Sequence, residues 1–420
     1  MGSHRPHPAR RLGAPLTGHP NYAVSLAFAP DGRTLAVATG SIDGSADGRV
    51  ILWDLTDPSQ PGRLGAPLIG HAGYVLSVAF APDGRTLATG SADRTVILWD
   101  LTDPAQPRPL SAPLTGDAGL VSSVAFAPDG RTLATTGQDG TVILWDLTDR
   151  TQPRQLGAPL TGDAGYVSSV GFAPDGRTLA TGHASAVILW DLTDSTQPRQ
   201  LGAPLTSHTG PVAFAPDGRT LATGSADETV ILWDLTDRTQ PRQLGAPLTS
   251  DADYLLSVAF ASDGHTLATA TASGNNNASA VILWDLTDPT QPGRLGAPLT
   301  GHTDSVSSVT FDPDGRTLAT GSADGTVTLW DLTDPTQPGR LGAPLNDHTD
   351  SVLSVTFDPD GRTLATGSED STAILWDLMD LDYLLSHAVE RACSIARGGL
   401  DRDEWDRRIR GLPYQDTCPS

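Results

Sequence analysis

Residues 64–100 read LGAPLIGHAGYVLSVAFAPDGRTLATGSADRTVILWD, and this unit decides the fold. It contains four runs with the composition of short strands, named here in chain order d (64–68), a (75–80), b (86–90) and c (96–99). Pro-Asp-Gly at residues 82–84 is typical of a tight hairpin between a and b, because proline fixes φ and glycine accepts a positive φ. Polar residues 91–95 give a second short turn between b and c. The unit therefore predicts a small antiparallel sheet of four strands.

The Trp-Asp pair that ends this unit recurs along the chain at nearly constant spacing. The tryptophans are Trp53, Trp99, Trp145, Trp190, Trp233, Trp284, Trp330 and Trp376, with steps of 46, 46, 45, 43, 51, 46 and 46 residues. A single four-stranded sheet cannot bury both of its faces, so the units are expected to stack around a central axis. The period predicts an all-β ring of eight blades. The alternative is a ring of seven blades with one unit left outside.

Proline marks the outer edge of each predicted blade. Run d contains Ala-Pro-Leu in every unit, with Pro15, Pro67, Pro113, Pro159, Pro204, Pro247, Pro298 and Pro344. Because proline has no N–H to donate to a neighbouring strand, run d is predicted to lie at the edge of the sheet.

The units resemble the WD-repeat family in the Gly-His before strand a, the Pro-Asp-Gly turn, the Asp before strand c and the terminal Trp-Asp. The resemblance covers residues 12–378 and implies an eight-bladed β-propeller of four-stranded antiparallel blades. It also implies that run d at residues 12–16 completes the last blade and closes the ring. Residues 1–11 are then a flexible leader, and residues 379–420 are a short α-helical C-terminal tail.

The resemblance also implies a buried hydrogen-bonded tetrad in each complete unit, made by a His before strand a, a Thr on strand b, an Asp in the b–c turn and the Trp of strand c. Matching residues here are His71, Thr89, Asp93 and Trp99; His208, Thr223, Asp227 and Trp233; His302, Thr320, Asp324 and Trp330; and His348, Thr366, Asp370 and Trp376. This repetition favours a structural role over a hydrolase triad. Asp117, Asp163 and Asp251 stand where His is expected, and unit 5 lacks three residues before Val212.

Binding is expected on the rim where strand a begins, which is the top of the ring in the family. Aligned on the Phe that ends strand a, the first position holds Tyr22, Tyr74, Leu120, Tyr166 and Tyr254, and the position two residues further in holds Leu76, Leu256 and Leu353. Nearby acidic residues are Asp117, Asp163, Asp251, Asp253, Asp304 and Asp350. Rigid tyrosines in an acidic surround suit a protein or peptide segment that carries Arg or Lys. The alternative is that the tyrosines pack between neighbouring blades.

Composition argues against several other classes of function. The formal net charge is −22 and the 27 basic residues are all Arg, so no nucleic-acid or anionic-membrane surface is expected. The Asp312–Asp314 and Asp358–Asp360 pairs lack the rest of a calcium loop, and a chain without Lys has no phosphate-binding loop. We therefore expect a non-catalytic interaction scaffold or sensor module without metal or cofactor. The alternative is a propeller enzyme that acts on a small molecule in the central channel.

The last 42 residues have a different character. Leu381, Leu384, Leu385, Ala388, Val389, Ala392 and Ile395 recur at helical spacing. Residues 390–393, 404–405 and 412–418 resemble the tail that follows WD repeats in actinobacterial signalling proteins, which implies longer relatives with an N-terminal effector module.

The chain shows no secretory signal and no apolar run of 18 residues, so a cytoplasmic location is expected. Its two cysteines, Cys393 and Cys418, could pair, but a reducing cytoplasm favours free thiols.

Overall fold

The computed structural model describes residues 9–19, 21–40, 48–117, 119–162, 165–206, 210–224, 229–249, 254–272 and 279–378. The predicted tail at 379–420, with Cys393 and Cys418, lies outside the described residues, as does the leader up to residue 8.

Eight antiparallel sheets follow one another along the chain, each with strands a, b and c side by side. Strand a of blades 1 to 8 spans Tyr22–Phe28, Val75–Phe80, Val121–Phe126, Val167–Phe172, Val212–Phe214, Tyr254–Phe260, Val306–Phe311 and Val352–Phe357. Strand b spans Thr34–Gly40, Thr86–Ser91, Thr132–Gly137, Thr178–His183, Thr220–Gly224, Thr266–Ala272, Thr317–Ser322 and Thr363–Ser368. Strand c spans Arg49–Asp54, Thr95–Asp100, Thr141–Asp146, Ala186–Asp191, Thr229–Asp234, Ala280–Asp285, Val327–Asp331 and Ala373–Asp377.

The sheets form a closed ring around a central channel. Strand a of each blade contacts strand a of both neighbouring blades, and blade 8 contacts blade 1 in the same way. Strand a therefore lines the channel, and strands b, c and d lie successively further out. The predicted eight-bladed β-propeller is confirmed, and the alternative of seven blades with one unit outside is wrong.

Strand d differs from the single run that the sequence indicated. Its first piece spans Gly62–Arg63, Arg108–Pro109, Arg154–Gln155, Arg199–Gln200, Gly293–Arg294 and Gly339–Arg340 in blades 1 to 4, 6 and 7. A second piece spans Leu68–Ile69, Leu114–Thr115, Leu160–Thr161, Leu205–Thr206 and Leu299–Thr300 in blades 1 to 4 and 6. Blade 7 has only a bridge between Leu345 and Val327 at this place, whereas blade 5 has one continuous strand, Arg242–Thr249.

The pairing of strand d with strand c is irregular at the Gly-Ala-Pro sequence, which gives an interruption in most blades and a register shift in blade 5. Gly65 has a φ of +65°, which turns the backbone out of the extended conformation, and Pro67 has no N–H to donate. Among the described residues strand d pairs only with strand c, which confirms its predicted position at the outer edge.

The N-terminal segment closes the ring. Arg10–Arg11 pairs antiparallel with strand c of blade 8, in register Arg10 to Asp377. Leu12 N–H donates to Leu375 O at 2.8 Å, and Leu16 N–H donates to Ala373 O at 2.7 Å. The chain therefore supplies strand d of its last blade from its beginning, as predicted. The pairing starts at Arg10, two residues before the start expected from the sequence.

The hydrophobic core lies between blades. One cluster joins Ala36 and Leu52 of blade 1 to Val75, Leu87 and Trp99 of blade 2, and equivalent clusters follow around the ring. Strand b is buried along its whole length in most blades, because neighbouring sheets cover both of its faces. This explains its small and apolar composition. Within the described part of the chain, no helix is long and apolar enough to cross a membrane.

Candidate functional site at the top rim

In each of blades 2, 7 and 8, the four tetrad residues contact one another just below the top rim, where strand a begins. In blade 2, His71 Nε2 lies 2.8 Å from Thr89 Oγ1, His71 Nδ1 lies 3.0 Å from Asp93 Oδ2, and Trp99 Nε1–H donates to Thr89 Oγ1 at 3.0 Å. Burial opposes the ionisation of Asp93, but hydrogen bonds from His71 and Thr95 outweigh it and hold its pKa well below the usual range.

The same geometry recurs in blades 7 and 8. The pairs His302 with Thr320 and His348 with Thr366 are each 2.8 Å apart, and the Asp324 and Asp370 carboxylates face the two histidines. Trp330 and Trp376 donate to the threonines at 3.1 Å. In blade 5, Trp233 donates to Thr223 at 2.9 Å, while His208 and Asp227 lie outside the described residues.

Blade 1 has a gap in this network that the sequence analysis missed. Val37 occupies the strand-b position that holds Thr89 in blade 2. Both ring nitrogens of buried His19, and Nε1 of Trp53, consequently have no hydrogen-bond partner. Burial, with a smaller contribution from the Arg63 charge, lowers the pKa of His19 to about 4. The signal was visible in the sequence as Leu-Ala-Val-Ala, where the other units have Leu-Ala-Thr.

Blades 3 and 4 replace the missing histidine in two different ways. Asp117 accepts a hydrogen bond from Thr135 at 3.3 Å through Oδ2, and its buried Oδ1 has no partner. Burial and the nearby Asp139 charge raise the pKa of Asp117 to about 6. In blade 4, His183 at the end of strand b reaches Thr181 with Nε2 at 3.0 Å. His183 could not be predicted from the family pattern, because the histidine of that pattern stands before strand a.

Above the tetrads, the residues of the first predicted partner-binding position lie at the first residue of strand a or directly before it. Tyr22, Tyr74 and Leu120 are half-buried, whereas Tyr166 is 52% exposed. Tyr254 begins strand a of blade 6, but its side chain lies outside the described residues.

The second predicted position lies two residues further into the channel. It coincides with the β-bulge in the a–b pairing, and it is occupied by Val24, Leu76, Ser122, Ser168, Leu256, Ser307 and Leu353. A bulge releases a residue from the ladder and redirects its side chain. Leu76 and Leu353 are half-buried, and Leu256 is 43% exposed. The exposed apolar side chains of the top rim are therefore concentrated in blades 4 and 6.

Serines on strand a connect neighbouring blades. The Oγ atoms of Ser25, Ser77, Ser169, Ser257 and Ser308 each accept a hydrogen bond from a backbone N–H of the next blade, at 3.2 to 3.4 Å. Ser122 Oγ donates to Val167 O of blade 4 at 3.1 Å. These hydroxyls are engaged in holding the ring together.

Phenylalanine lines the opposite end of the channel. All eight phenylalanines of the chain end a strand a, one in each blade. Phe28, Phe80, Phe311 and Phe357 surround a depression of about 460 Å³. Buried Asp358 lies beside it, and burial together with a hydrogen bond to Asp360 raises the pKa of Asp358 to about 7. Among the described residues, no group of three or more His, Cys, Asp or Glu could hold a metal ion.

The closed ring of antiparallel blades and its repeated His-Thr-Asp-Trp networks define a β-propeller built from WD repeats. The family model "WD domain, G-beta repeat" matches residues 10–54, 62–100, 109–146, 154–191, 200–234, 293–331 and 339–377, which is more than half of the chain. The chain belongs to this family. Strands a to c of blade 6 form a complete sheet although no segment there matches the family model.

Two solved structures show the same fold. Sqt1 from Chaetomium thermophilum, in its crystal structure bound to the N-terminus of the ribosomal protein L10, has a TM-score of 0.72 and 20% sequence identity, and the match covers 88% of this chain and 100% of that chain. A second crystal structure of Sqt1 has the same TM-score and identity and is covered to 99%. A sequence comparison with curated proteins gives no significant match.

Proposed function

We propose that this propeller is a non-catalytic platform that binds a protein or peptide segment on its top rim. The observation that carries the proposal is the exposure of Tyr166 and Leu256. In the described part of the chain the large exposed apolar side chains are these two and Ile69, and only Tyr166 and Leu256 lie where strand a begins; Ile69 lies on strand d at the outer edge of its blade. Exposed aromatic and aliphatic side chains on one surface are the usual composition of an interface anchor.

Charge favours a basic partner. The net charge of the chain is −22, and Asp304 and Asp350 are exposed on the top rim. In sequence, Asp163 precedes Tyr166 by three residues and Asp253 is bonded directly to Tyr254. Such a surround attracts Arg and Lys and accelerates association with them. The complex of the similarly folded Sqt1 with the N-terminus of ribosomal protein L10 supports a peptide segment as the kind of partner.

The wider role that we propose is regulatory. The resemblance of residues 379–420 to the tails of actinobacterial signalling proteins supports a cytoplasmic sensor arm in bacteria, coupled in longer relatives to an N-terminal effector module. Binding on the top rim would then report the presence of the partner to that module.

A capture experiment tests the binding platform. The immobilised protein is exposed to a lysate of its source cells beside a Tyr166→Ala/Leu256→Ala variant, after circular dichroism has shown that both fold. Ile69→Ala is the matched control, because Ile69 is 65% exposed on strand d, the outer strand of its blade, and not beside the channel where strand a begins. We expect the control to retain the specific partner and the double variant to capture at least tenfold less. Equal capture by all three proteins would contradict binding at the top rim.

A further inference from the structure

An arginine of blade 3 joins blades 2 and 3 at the bottom of the ring, the end opposite to the top rim. Arg150 lies in the loop between strands c and d, called here the c–d loop. Its guanidinium group is paired with Asp83 of the a–b turn of blade 2, and it donates to Thr86 Oγ1 at 2.7 Å and to Gly130 O at 3.3 Å. One guanidinium group thus satisfies acceptors on two neighbouring blades, because it presents several N–H donors in one plane.

The boundary between blades 8 and 1, called here the closing seam, presents the same acceptors without an arginine. The c–d loop of blade 1 has Pro58 at the position of Arg150, and proline has no side-chain donor. The acid, the hydroxyl and the carbonyl that Arg150 binds have as their equivalents Asp360, Thr363 and Gly32. These three residues and Pro58 line a pocket of about 710 Å³.

The position of the guanidinium group is open at the closing seam. A Cβ placed on Gly130 would lie 3.5 Å from Nη2 of Arg150. A Cβ placed on the equivalent Gly32 would have Cδ of Pro359 at 3.5 Å and, among the described residues beyond its chain neighbours, no second atom within 4 Å. The space that Arg150 fills between blades 2 and 3 is therefore accessible between blades 8 and 1.

The closing seam also carries a second carboxyl group. Asp358 lines the pocket, and six of the other seven blades have Ala at its position. Its side chain is buried and hydrogen-bonded to Asp360, which requires a proton between the two acids. Blade 7 has the other such acid, Asp312, but the c–d loop of blade 8 beside it lies outside the described residues. Two adjacent carboxyl groups favour a bound cation, which can replace the shared proton.

The remaining charges of the pocket are compatible with a further cation. Arg10 is engaged with Asp377 at 2.8 Å. Arg33 and Arg362 are exposed on the two a–b turns, and arginines stand at the same turn positions beside Arg150. The charged residues that line the pocket besides Asp358 and Asp360 are Arg10, Asp31, Arg33, Asp57, Arg362 and Asp377.

We propose that the closing seam is a second binding site, which receives the guanidinium group of an arginine in a segment of a partner protein. The guanidinium group pairs with Asp360 and Asp358 and donates to Thr363 Oγ1 and Gly32 O, as Arg150 does between blades 2 and 3. A planar fork of donors matches these separate acceptors, whereas the ammonium group of lysine has a single nitrogen. The site lies at the opposite end of the blades from the top rim, so it does not depend on the binding platform proposed above.

The test compares a charged probe with a neutral one of the same shape. The probe is acetyl-Gly-Arg-Gly-amide, its control is acetyl-Gly-citrulline-Gly-amide, and binding is measured by ligand-observed NMR titration. Asp360→Asn removes the charge but keeps an acceptor for Arg362 N–H, which Asp360 binds at 3.1 Å. Asp129→Asn is the matched control, because Asp129 accepts Arg131 N–H in the a–b turn of blade 3, outside this pocket.

A second pair of variants fills the site from within. Pro58→Arg introduces the arginine that blade 3 has at this position, and Pro58→Ser is its control because blade 4 has Ser195 there. We expect Pro58→Arg to raise the melting temperature and to weaken probe binding at least tenfold. Pro58→Ser should bind the probe like the parent protein.

We expect the parent protein to bind the arginine probe at least tenfold more tightly than the citrulline control. Asp360→Asn should lose this preference and Asp129→Asn should retain it. Equal binding of the two probes by the parent, or unchanged probe binding by either Asp360→Asn or Pro58→Arg, would overturn the proposal. Deletion of residues 1–8 or 379–420 tests whether an arginine of this chain fills the seam, and a tenfold gain in probe binding by either deletion would refute the assignment to a partner.

Discussion

At the scale of single residues, the threonine of each tetrad is the centre of its network. Thr89 receives the indole N–H of Trp99, contacts His71 and donates to Ile97 O at 3.3 Å. A valine at this place removes all of these bonds at once, which is why blade 1 contains buried unpaired nitrogens on His19 and Trp53. Leaving buried polar groups unpaired costs about 1 to 3 kcal/mol.

Val37→Thr is therefore expected to stabilise the protein. The new hydroxyl gives Trp53 Nε1–H an acceptor and His19 a partner, and each bond contributes about 0.5 to 1.5 kcal/mol. We expect the free energy of unfolding in urea to rise by about 1 kcal/mol or more. Val37→Ala serves as the control, because it changes volume without adding a hydroxyl and should be destabilising. An unchanged or lower unfolding midpoint for Val37→Thr would contradict this account of blade 1.

Asp117 makes blade 3 sensitive to pH. Its pKa is about 6 in the folded protein and 3.8 as the ordinary value, so the folded state binds more protons between these values. The stability that Asp117 contributes is complete below pH 3.8 and is lost as the pH rises through 6. Asp117→Asn removes this titration. We expect the variant to gain about 1 kcal/mol relative to the parent protein between pH 5 and pH 7.

The measurement is urea unfolding of both proteins at pH 5, 6 and 7. The parent protein and Asp117→Asn must be compared with each other at each pH, because the titration of His19 changes the stability of both proteins with pH in the opposite direction to that of Asp117. Its pKa is lowered from 6.5 to about 4, so the stability linked to neutral His19 is lost as the pH falls through this range. Parallel pH profiles for the two proteins would show that Asp117 does not titrate near pH 6.

At the scale of the element, an arginine on strand d joins one blade to the next. Arg63, Arg294 and Arg340 lie over the rings of Trp53, Trp284 and Trp330, with the guanidinium carbon 5.4 to 5.5 Å from the ring centroid. Each also donates to a carbonyl of the preceding blade, at or just after the end of strand d, as Arg340 does to Thr300 O at 2.9 Å. A Cβ at Gly301, which has a φ of +133°, would collide with the Arg340 guanidinium. The glycine before the tetrad histidine thus leaves room for this contact.

Arg340→Gln is expected to weaken the contact between blades 6 and 7. Gln occupies the same register in blades 3 and 4, where Gln155 and Gln200 bond only within their own strand loop. Loss of one cation–π contact and one charged hydrogen bond should lower the free energy of unfolding by about 1 to 2 kcal/mol. Thermal unfolding followed by circular dichroism measures it. Arg316→Gln, on an exposed a–b turn, is the control and should change little; equal effects of the two substitutions would contradict the role of Arg340.

At the scale of the whole molecule, the ring depends on the pairing of its two ends. Arg10 is paired with Asp377 through a side-chain bond of 2.8 Å, and Leu12 and Leu16 are buried against blade 8. Without this segment, strand c of blade 8 would lose its outer partner. Burial of each leucine contributes about 1.5 to 3 kcal/mol.

Deletion of residues 1–16 is therefore expected to lower the free energy of unfolding by at least about 3 kcal/mol. Deletion of residues 1–8 is the control, because it leaves the closing strand intact. Thermal unfolding and limited proteolysis of both proteins measure the effect, with new cleavage expected in blade 8 of the longer deletion. An unchanged melting temperature would refute closure by the N-terminal strand.

By itself, the sequence determined the number of blades, strands a to c, the edge position of strand d and the closure of the ring. The blades, their strands and the edge position of strand d follow from local turn chemistry, from proline and from a period that no single blade can satisfy, since each sheet must bury two faces. Closure of the ring was implied by the resemblance to WD repeats. The resemblance to WD repeats implied the network of His71, Thr89, Asp93 and Trp99, and the repeated spacing of these residues located the same positions in the other units.

Only the tertiary structure decided where strand d is interrupted, which histidine contacts the Thr of blade 4, and which side chains of the top rim are exposed. Strand d of blade 1 is interrupted between Arg63 and Leu68, where Gly65 has a positive φ and Pro67 has no N–H to donate, whereas blade 5 keeps one strand through the same Gly-Ala-Pro sequence. His183 joins its network from strand b because the two positions, remote in the usual pattern, meet beside Thr181. Tyr166 and Leu256 look like Tyr74 and Leu76 in sequence, yet they are exposed because the blade between them is three residues short. The exposure of a side chain on the rim depends on the residues of the neighbouring blades, which the local sequence pattern around that side chain does not specify.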